Sequence, residues 1–305
     1  RGSHALKFGV DIHRYRWDIF NSNSKGAVWG FNSLENFLQA GPEGTELIVA
    51  LPGSDNKKAL RQTLAGFYVQ DGWRFSSRLR LDLGFRYEVA SIIKEKDGRT
   101  SYLPDWVHDT ALQNGPMLGH NPSLRNFSPR VGFSWSPRST DTLLINGGFG
   151  IYFDPLLEYV IDPQKNSAPY YRRVLIPNFD ASRIFPDAVA ATALVSSATP
   201  FGVAVMDYPH VANPYLMRYG LTLQQSLPAR LTLRASYVGA RGNHLFRGYE
   251  ANLYPLPVPT ADGSIFLPSN SGPINPAFNS IGLTGSDAQS FYNALQMSAS
   301  IGPKS

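Results

Sequence analysis

Chemistry in this chain would have to come from six histidines, a scatter of carboxylates and one tyrosine–arginine run. His4, His13, His108, His120, His210 and His244 lie far apart, without the spacing that gathers imidazoles around one metal. In the sequence they are not paired with acids near strand tops, so no acid–base or hydrolytic group assembles. There is no G-x-S-x-G, no P-loop and no cysteine, which removes the nucleophile elbow, the phosphate cradle and thiolate chemistry. No catalytic residue, metal site or cofactor is expected. Two constellations remain. Asp11, Asp82 and Glu88 alternate along strands with Arg80 and Arg86, a pattern suited to ion pairing on a wet strand face. Tyr170, Tyr171, Arg172 and Arg173 fall together in the longest connecting segment, where stacking rings and guanidinium charge suit an anionic or sugar-like ligand. The RGNH run at 241–244 reads as the rim of a strand.

The elements that must position these groups are strands. In LRLDLGFRYE, residues 79–88, apolar and polar residues alternate without a miss, the period of a strand with one oily and one wet face. The segment before it, FYVQDGW at 67–73, puts Phe67, Val69 and Trp73 on one face with Asp71 among them, and a short turn joins the two into a hairpin. Arg80, Asp82, Arg86 and Glu88 share the wet face. The same period predicts strands near 4–17, 26–32, 46–51, 128–136, 142–153, 215–225, 230–240 and 291–301, about ten in all. A helical turn or two is expected at 33–40, capped by Ser33, and a short helix at 187–195.

Connection lengths then matter more than the strands. From residue 74 onward they run short, long, short, long, short, long: 74–78, 90–127, 137–141, 154–213, 226–229 and 241–289. Antiparallel neighbours place every short turn at one end and every long loop at the other, the asymmetry of an outer-membrane barrel. Most strands reach the roughly 9–11 residues that a tilted transmembrane strand needs, against about 5–6 in soluble sheets. Phe31, Trp73 and Trp135 at the short-turn end, and Tyr87 and Phe153 at the long-loop end, stand where aromatic girdles form. The wet face is rich in Gly, Ser, Thr, Asn, Gln, Arg and Asp, as in a watery lumen. A soluble sandwich satisfies the alternation too, with the leucine faces as its core.

The totals agree with a turn-rich membrane β protein. Among 305 residues 17% are charged, well under the roughly 25% of ordinary soluble domains. The net charge of +5 is scattered rather than striped, which argues against nucleic acid as a partner. No run of 18 apolar residues exists to make a membrane helix, a test that says nothing about spanning strands.

At this level of detail the chain resembles a known family. YVQDGWRFSSRLRLDLGFRYE (68–88) is similar to the barrel hairpin of TonB-dependent outer-membrane receptors, in which a Y-x-Q-D-x-W strand enters a short turn and an L-x-L-x-x-G-x-R-Y-E strand leaves it. HALKFGVDI, NFSPRVGFSWSP, INGGFGIYFDP, NPYLMRYGLTLQQSLP, LRASYVGARGNHL and YNALQMS look like later segments in the same order, most of all those of the Oar-like group with a carboxypeptidase-regulatory-like domain. The resemblance implies an all-β, antiparallel up-and-down transmembrane barrel in the Gram-negative outer membrane, in contact with its lipid. It implies a plug domain and a TonB-type energy-coupling protein as partners, and an extracellular ligand of unknown identity. Residues 1–305 are expected to be part of such a barrel domain, with plug and remaining strands elsewhere, forming an open, strongly curved sheet. Arg1–His4 also match the opening of common affinity tags. Two other functions fit a ten-strand barrel: an omptin-like protease with His and Asp at the loop end, and a passive pore or adhesin.

Overall fold

The computed structural model describes residues 3–20, 26–41, 43–55, 57–138, 142–166, 168–187, 190, 192–193, 201–253, 258–266 and 272–302. Eight long strands form the wall: His4–Phe20, Lys57–Arg74, Leu79–Ala90, Phe127–Trp135, Leu143–Phe153, Tyr215–Ser226, Leu231–Glu250 and Ile281–Ile301. Each pairs antiparallel with its predecessor in this series. Val203–Met206 adds in parallel beside Ile281–Ile301, and Lys94–Glu95 pairs with Lys57–Arg74, making ten strands in one sheet that does not close. The short turns join the second wall strand to the third, the fourth to the fifth and the sixth to the seventh, all at one rim. The first of them is built by Ser76, whose Oγ accepts from the amides of Arg78 (3.2 Å) and Leu79 (3.1 Å), the Ser-turn chemistry that sequence position favours.

Membership of the sheet departs from expectation at two places. Residues 26–32 and 46–51 were expected in the wall. Instead Val28–Phe31 and Gly44–Ala50 join Arg173–Pro177 in a separate three-stranded sheet within the loops. Both segments are too short to span a bilayer, at four and seven residues, and their third strand lies more than a hundred residues away. The first wall strand instead pairs over its whole length with Lys57–Arg74. Ser33 caps the helix Leu34–Gln39 through the Asn36 amide at 3.1 Å, as its sequence implies. The helix expected at 187–195 falls largely outside the described residues.

The wall's leucine faces bury nothing. Phe8 is 80% exposed, Val10 70%, Leu295 67% and Met297 77%, so these faces are not the core of a sandwich. Register places Phe8 beside Val69 and Phe85, and Leu221 beside Tyr237 and Leu295, in continuous apolar rows. The buried clusters all involve the long loops. One joins Leu60, Ile93, Met117, Leu118, Leu156 and Val211, with Trp17 and Ile19 packed on it. A second joins Leu103, Val205, Phe278, Ile281 and Leu283. The loop segment at 90–127, which has no regular period, thus supplies core residues. Buried amides tie the loops together: Asn252 Nδ2 donates to the carbonyls of Asn275 (2.9 Å) and Phe278 (2.7 Å), and Asn275 Nδ2 donates to those of Trp106 and Asp109.

Glu95 anchors one loop. Its carboxylate accepts from the amides of Ala59 (2.9 Å), Asp97 (2.8 Å) and Arg99 (2.8 Å) and from the Arg99 guanidinium (3.2 Å), which also holds Asp55 at 2.6 Å. Burial pushes Glu95 up, but the three amides and the Arg99 charge together hold it below its ordinary value of 4.5. Asp55 is lowered as well, first by the Lys57 amide.

Two tests follow from this packing. In the protein reconstituted in phospholipid vesicles, Leu295→Arg, on an outward face, should lower unfolding stability by about 2–4 kcal/mol. Gln296→Arg, one residue on and facing inward, should change it by no more than about 0.5 kcal/mol. Equal losses in urea titrations would contradict the assignment of faces. The Glu95 clamp contributes fully above pH 4.5 and is lost only as pH falls through the depressed value. Hydrogen exchange at Asp97 and Arg99 should therefore stay slow at pH 5, whereas Glu95→Gln should speed it there; unchanged rates would show that the carboxylate does not hold the loop.

Candidate functional site

The inward faces of the wall strands carry the polar groups. Asp11, Gly66 and Glu88 lie in one register row, and Arg86 reaches both carboxylates, at 3.1 Å to Asp11 and 2.6 Å to Glu88. Gly66 leaves room beneath this bridge: a Cβ there would meet the Arg86 guanidinium at 2.7 Å and the Asp11 carboxylate at 2.8 Å, so those side-chain ends would have to shift. Nearer the short turns Arg80 pairs with Asp82 at 2.8 Å, both half-exposed. Arg80, Asp82, Arg86 and Glu88 thus share one face of the sheet and are ion-paired there.

Further round the curve the charges are not balanced. Arg130, Gly150 and Arg218 share one row across the fourth, fifth and sixth wall strands. The ring of Tyr152, two residues along the same face, lies down over Gly150; a Cβ at that glycine would touch it at 3.0 Å. Arg130 stands over the ring at 4.3 Å and Arg218 at 5.7 Å, within cation–π range. Among the described residues neither guanidinium has a carboxylate partner, and Arg130 Nε is buried without a hydrogen bond. One register row nearer the short turns, Gly132, Gly148 and Gly220 align and leave bare backbone. Together these residues line an open concavity of about 910 Å³ that also takes in Lys7, Arg80, Asp82 and Thr222. Four cations thus face it against one inward carboxylate. Chemically this surface can hold anions and extended polar chains; it has no nucleophile poised against a base.

Arg130 and Arg218 are legible as inward positions from alternation, but their meeting over Tyr152 is not, because 22 and 66 residues separate them from it and from each other's strand neighbours only register resolves.

The Tyr170–Arg173 run is not assembled as one site. Tyr171 is 1% exposed, and burial raises its hydroxyl pKa, so its ring is part of the loop packing. Tyr170 lies 4.8 Å from the Lys58 ammonium. Arg172 stacks on Phe201 at 5.0 Å, while its carbonyl accepts from the Leu51 amide. Arg173, exposed, starts the loop strand and borders a second cavity of about 500 Å³ with Tyr249 and Glu250. Alternation in that strand sends neighbouring side chains to opposite faces.

Of the expected girdle, Trp73 and Trp135 lie at the short-turn rim, opposite His4 and Leu79. Tyr87 stacks on Phe127 at 5.1 Å and Phe153 approaches Tyr215 at 5.4 Å, both towards the long loops. Phe31 is displaced: it sits in the loop sheet against Phe37, Phe179 and Phe185, at the other end from its expected place. The histidines also differ from expectation, since His4, His13, His108 and His210 do have aspartates within 4 Å. Each pair stands apart, and the described residues contain no group of three His, Cys, Asp or Glu able to hold a metal.

Known proteins agree with this architecture. No curated protein matches the chain in sequence. Among solved structures it is similar to the outer membrane transporter YddB from Escherichia coli, with a TM-score of 0.53 and 13% identity over 97% of this chain and 27% of that one. It is also similar, more distantly, to the FrpB iron transporter (F5-1 variant) from Neisseria meningitidis, with a TM-score of 0.45 and 11% identity over 99% of this chain and 32% of that one. The chain thus spans about a quarter of the length of the transporter YddB. At such identities the first likeness speaks for the fold alone. The model of the outer membrane beta barrel domain matches residues 1–301. With apolar faces turned outward, polar faces turned inward and loops sorted by rim, the chain belongs to the outer membrane beta barrel domain family and to the Gram-negative outer membrane.

Proposed function

We propose that the chain is wall and loop of an outer-membrane receptor that takes up an extracellular ligand with energy delivered by a TonB-type protein. In this reading residues 1–305 are part of a larger barrel domain of the Oar-like group, whose plug fills the concavity. The observation that carries it is the inward surface itself: a wide polar concavity holding the Arg130–Tyr152–Arg218 stack, beneath long loops that carry packed cores of their own. A passive pore needs no folded cap of this kind. An enzyme needs an acid–base pair facing the substrate; the His–Asp pairs at 105–108 and 207–210 are local loop contacts, and in the inward pair His13–Asp11, 3.6 Å apart, the carboxylate is already engaged by Arg86 at 3.1 Å. The names of the similar structures, a transporter and an iron transporter, are in keeping with uptake. Ligand capture is assigned to the loop end, where Tyr170 and Arg173 lie, and movement of the plug to the energy source. The wall breaks no bond; it supplies a lipid-facing belt, a charged lumen and the capture loops. Trp73, Tyr87, Trp135 and Phe153 are assigned to the two membrane interfaces.

Conductance of the full-length protein in planar bilayers separates the readings. A plugged receptor should show no steady current until urea on the short-turn side unfolds the plug, and should close again on its removal. Steady current without denaturant would mark a passive pore and overturn the proposal. Once opened, the lumen should favour anions, and Arg130→Gln with Arg218→Gln should move the reversal potential in a KCl gradient towards cation preference. An unmoved potential would remove these residues from the conducting path.

A further inference from the structure

The first wall strand changes character part-way up. Its outward face reads Leu6, Phe8, Val10, Ile12, all exposed, and then Arg14, Arg16 and Asp18, also exposed. The same register puts Thr63 opposite Arg14 and Arg61 opposite Arg16. Two arginines thus stand directly across from each other on neighbouring strands, a pairing of like charges that is unfavourable unless anions lie close to them. Arg61 is held by Asp18 at 2.8 Å, and Arg14 donates to Thr63 Oγ1 at 2.6 Å. The Arg16 side chain makes no ion pair or hydrogen bond among the described residues. Three cations therefore face outward with one carboxylate between them.

Their height is as informative as their charge. With a rise of about 3.3 Å per residue and a tilt near 45°, Arg14 stands about 5 Å and Arg16 about 9 Å above Ile12 along the membrane normal. The layer beyond the hydrocarbon is about 5–7 Å thick on each side. With Ile12 at the top of the hydrocarbon, Arg14 falls in this layer and Arg16 just beyond it, from where a long side chain reaches back to the headgroups; both stand above side chains that acyl tails cover. Arginine matches phosphate in geometry and forms paired, charge-assisted hydrogen bonds with it.

We infer that Arg14, Arg16 and Arg61 form a binding site for the phosphate of an outer-leaflet lipid headgroup, whose acyl chains lie along Ile12, Val10 and Phe8. The site is on the outside of the wall, separate from the lumen and from any ligand being transported. It fixes this part of the wall at a set depth and gives the receptor an annular lipid of defined charge.

Native mass spectrometry of the full-length protein, titrated in detergent with lipid A and with dephosphorylated lipid A, tests this. The wild type should retain the phosphorylated lipid preferentially. Arg14→Gln, Arg16→Gln and Arg61→Gln together should weaken that binding by at least about tenfold, and the triple lysine variant should keep most of it. Because Arg61 and Arg14 have partners, heat-modifiable gel mobility checks folding of the triple variant. Arg16→Gln, which removes no described contact, gives a second reading and should show a smaller loss in the same direction. Equal retention of both lipids by the wild type, or an undiminished preference in both glutamine variants, would overturn the site.

Discussion

A strand set in hydrocarbon has no water to pair its amides and carbonyls, so its neighbours must. That constraint orders everything else here. Neighbouring wall strands satisfy one another along ladders of six to seventeen register pairs, with the outer edges of the first and last strands left open, and once the ladders exist, alternate side chains have no choice but to face lipid or lumen. The chain uses the two sides differently. Outside, Phe8, Val69, Phe85, Leu221 and Leu295 meet in apolar rows. Inside, Arg86 bridges Asp11 and Glu88, and small residues leave room where a bridge or a ring must pass. Gly66 under that bridge and Gly150 under Tyr152 are cases in which a missing Cβ decides what the next row can hold.

Beyond the hydrocarbon the same strands continue, and the rule changes. The first, second, seventh and eighth wall strands have 17, 18, 20 and 21 residues, about twice what a bilayer requires. Their upper parts bury Trp17, Leu60, Leu64, Ile281 and Leu283 inward, against the loops. The barrel is thus wet at its waist and dry at its top, where the loops pack as a soluble domain packs. The buried Asn252–Asn275 exchange and the Glu95 clamp are devices of that drier region, since loop backbone that leaves water needs partners as much as wall backbone does.

How much of this the sequence discloses depends on the range of the interaction. Alternation in 79–88 is local and survives intact in the structure, as do the hairpin turn at Ser76 and the sorting of loop lengths by rim. Residues 28–31 and 47–50 are apolar enough for a wall strand, yet belong to a loop sheet, because an apolar run reports that it is buried and not what buries it. Tyr171 looked like an exposed stacking residue in a polar loop, but long-range packing took it into a core. The Arg130–Tyr152–Arg218 stack depends on the register of three strands and has no signature in composition or spacing, whereas the His–Asp contacts at 105–108 and 207–210 share a D-x-x-H spacing that the sequence does carry.

The wall's alternate faces meet two different solvents. Residues 1–305 contain no cysteine, so with any cysteine elsewhere in the full-length protein replaced, a single nitroxide can be placed at each position from 81 to 87 in phospholipid vesicles. Collision with oxygen, which concentrates in lipid, should peak at 81, 83, 85 and 87. Collision with a water-soluble nickel chelate should peak at 82, 84 and 86. A profile without this two-residue period, or one with the opposite phase, would contradict the account.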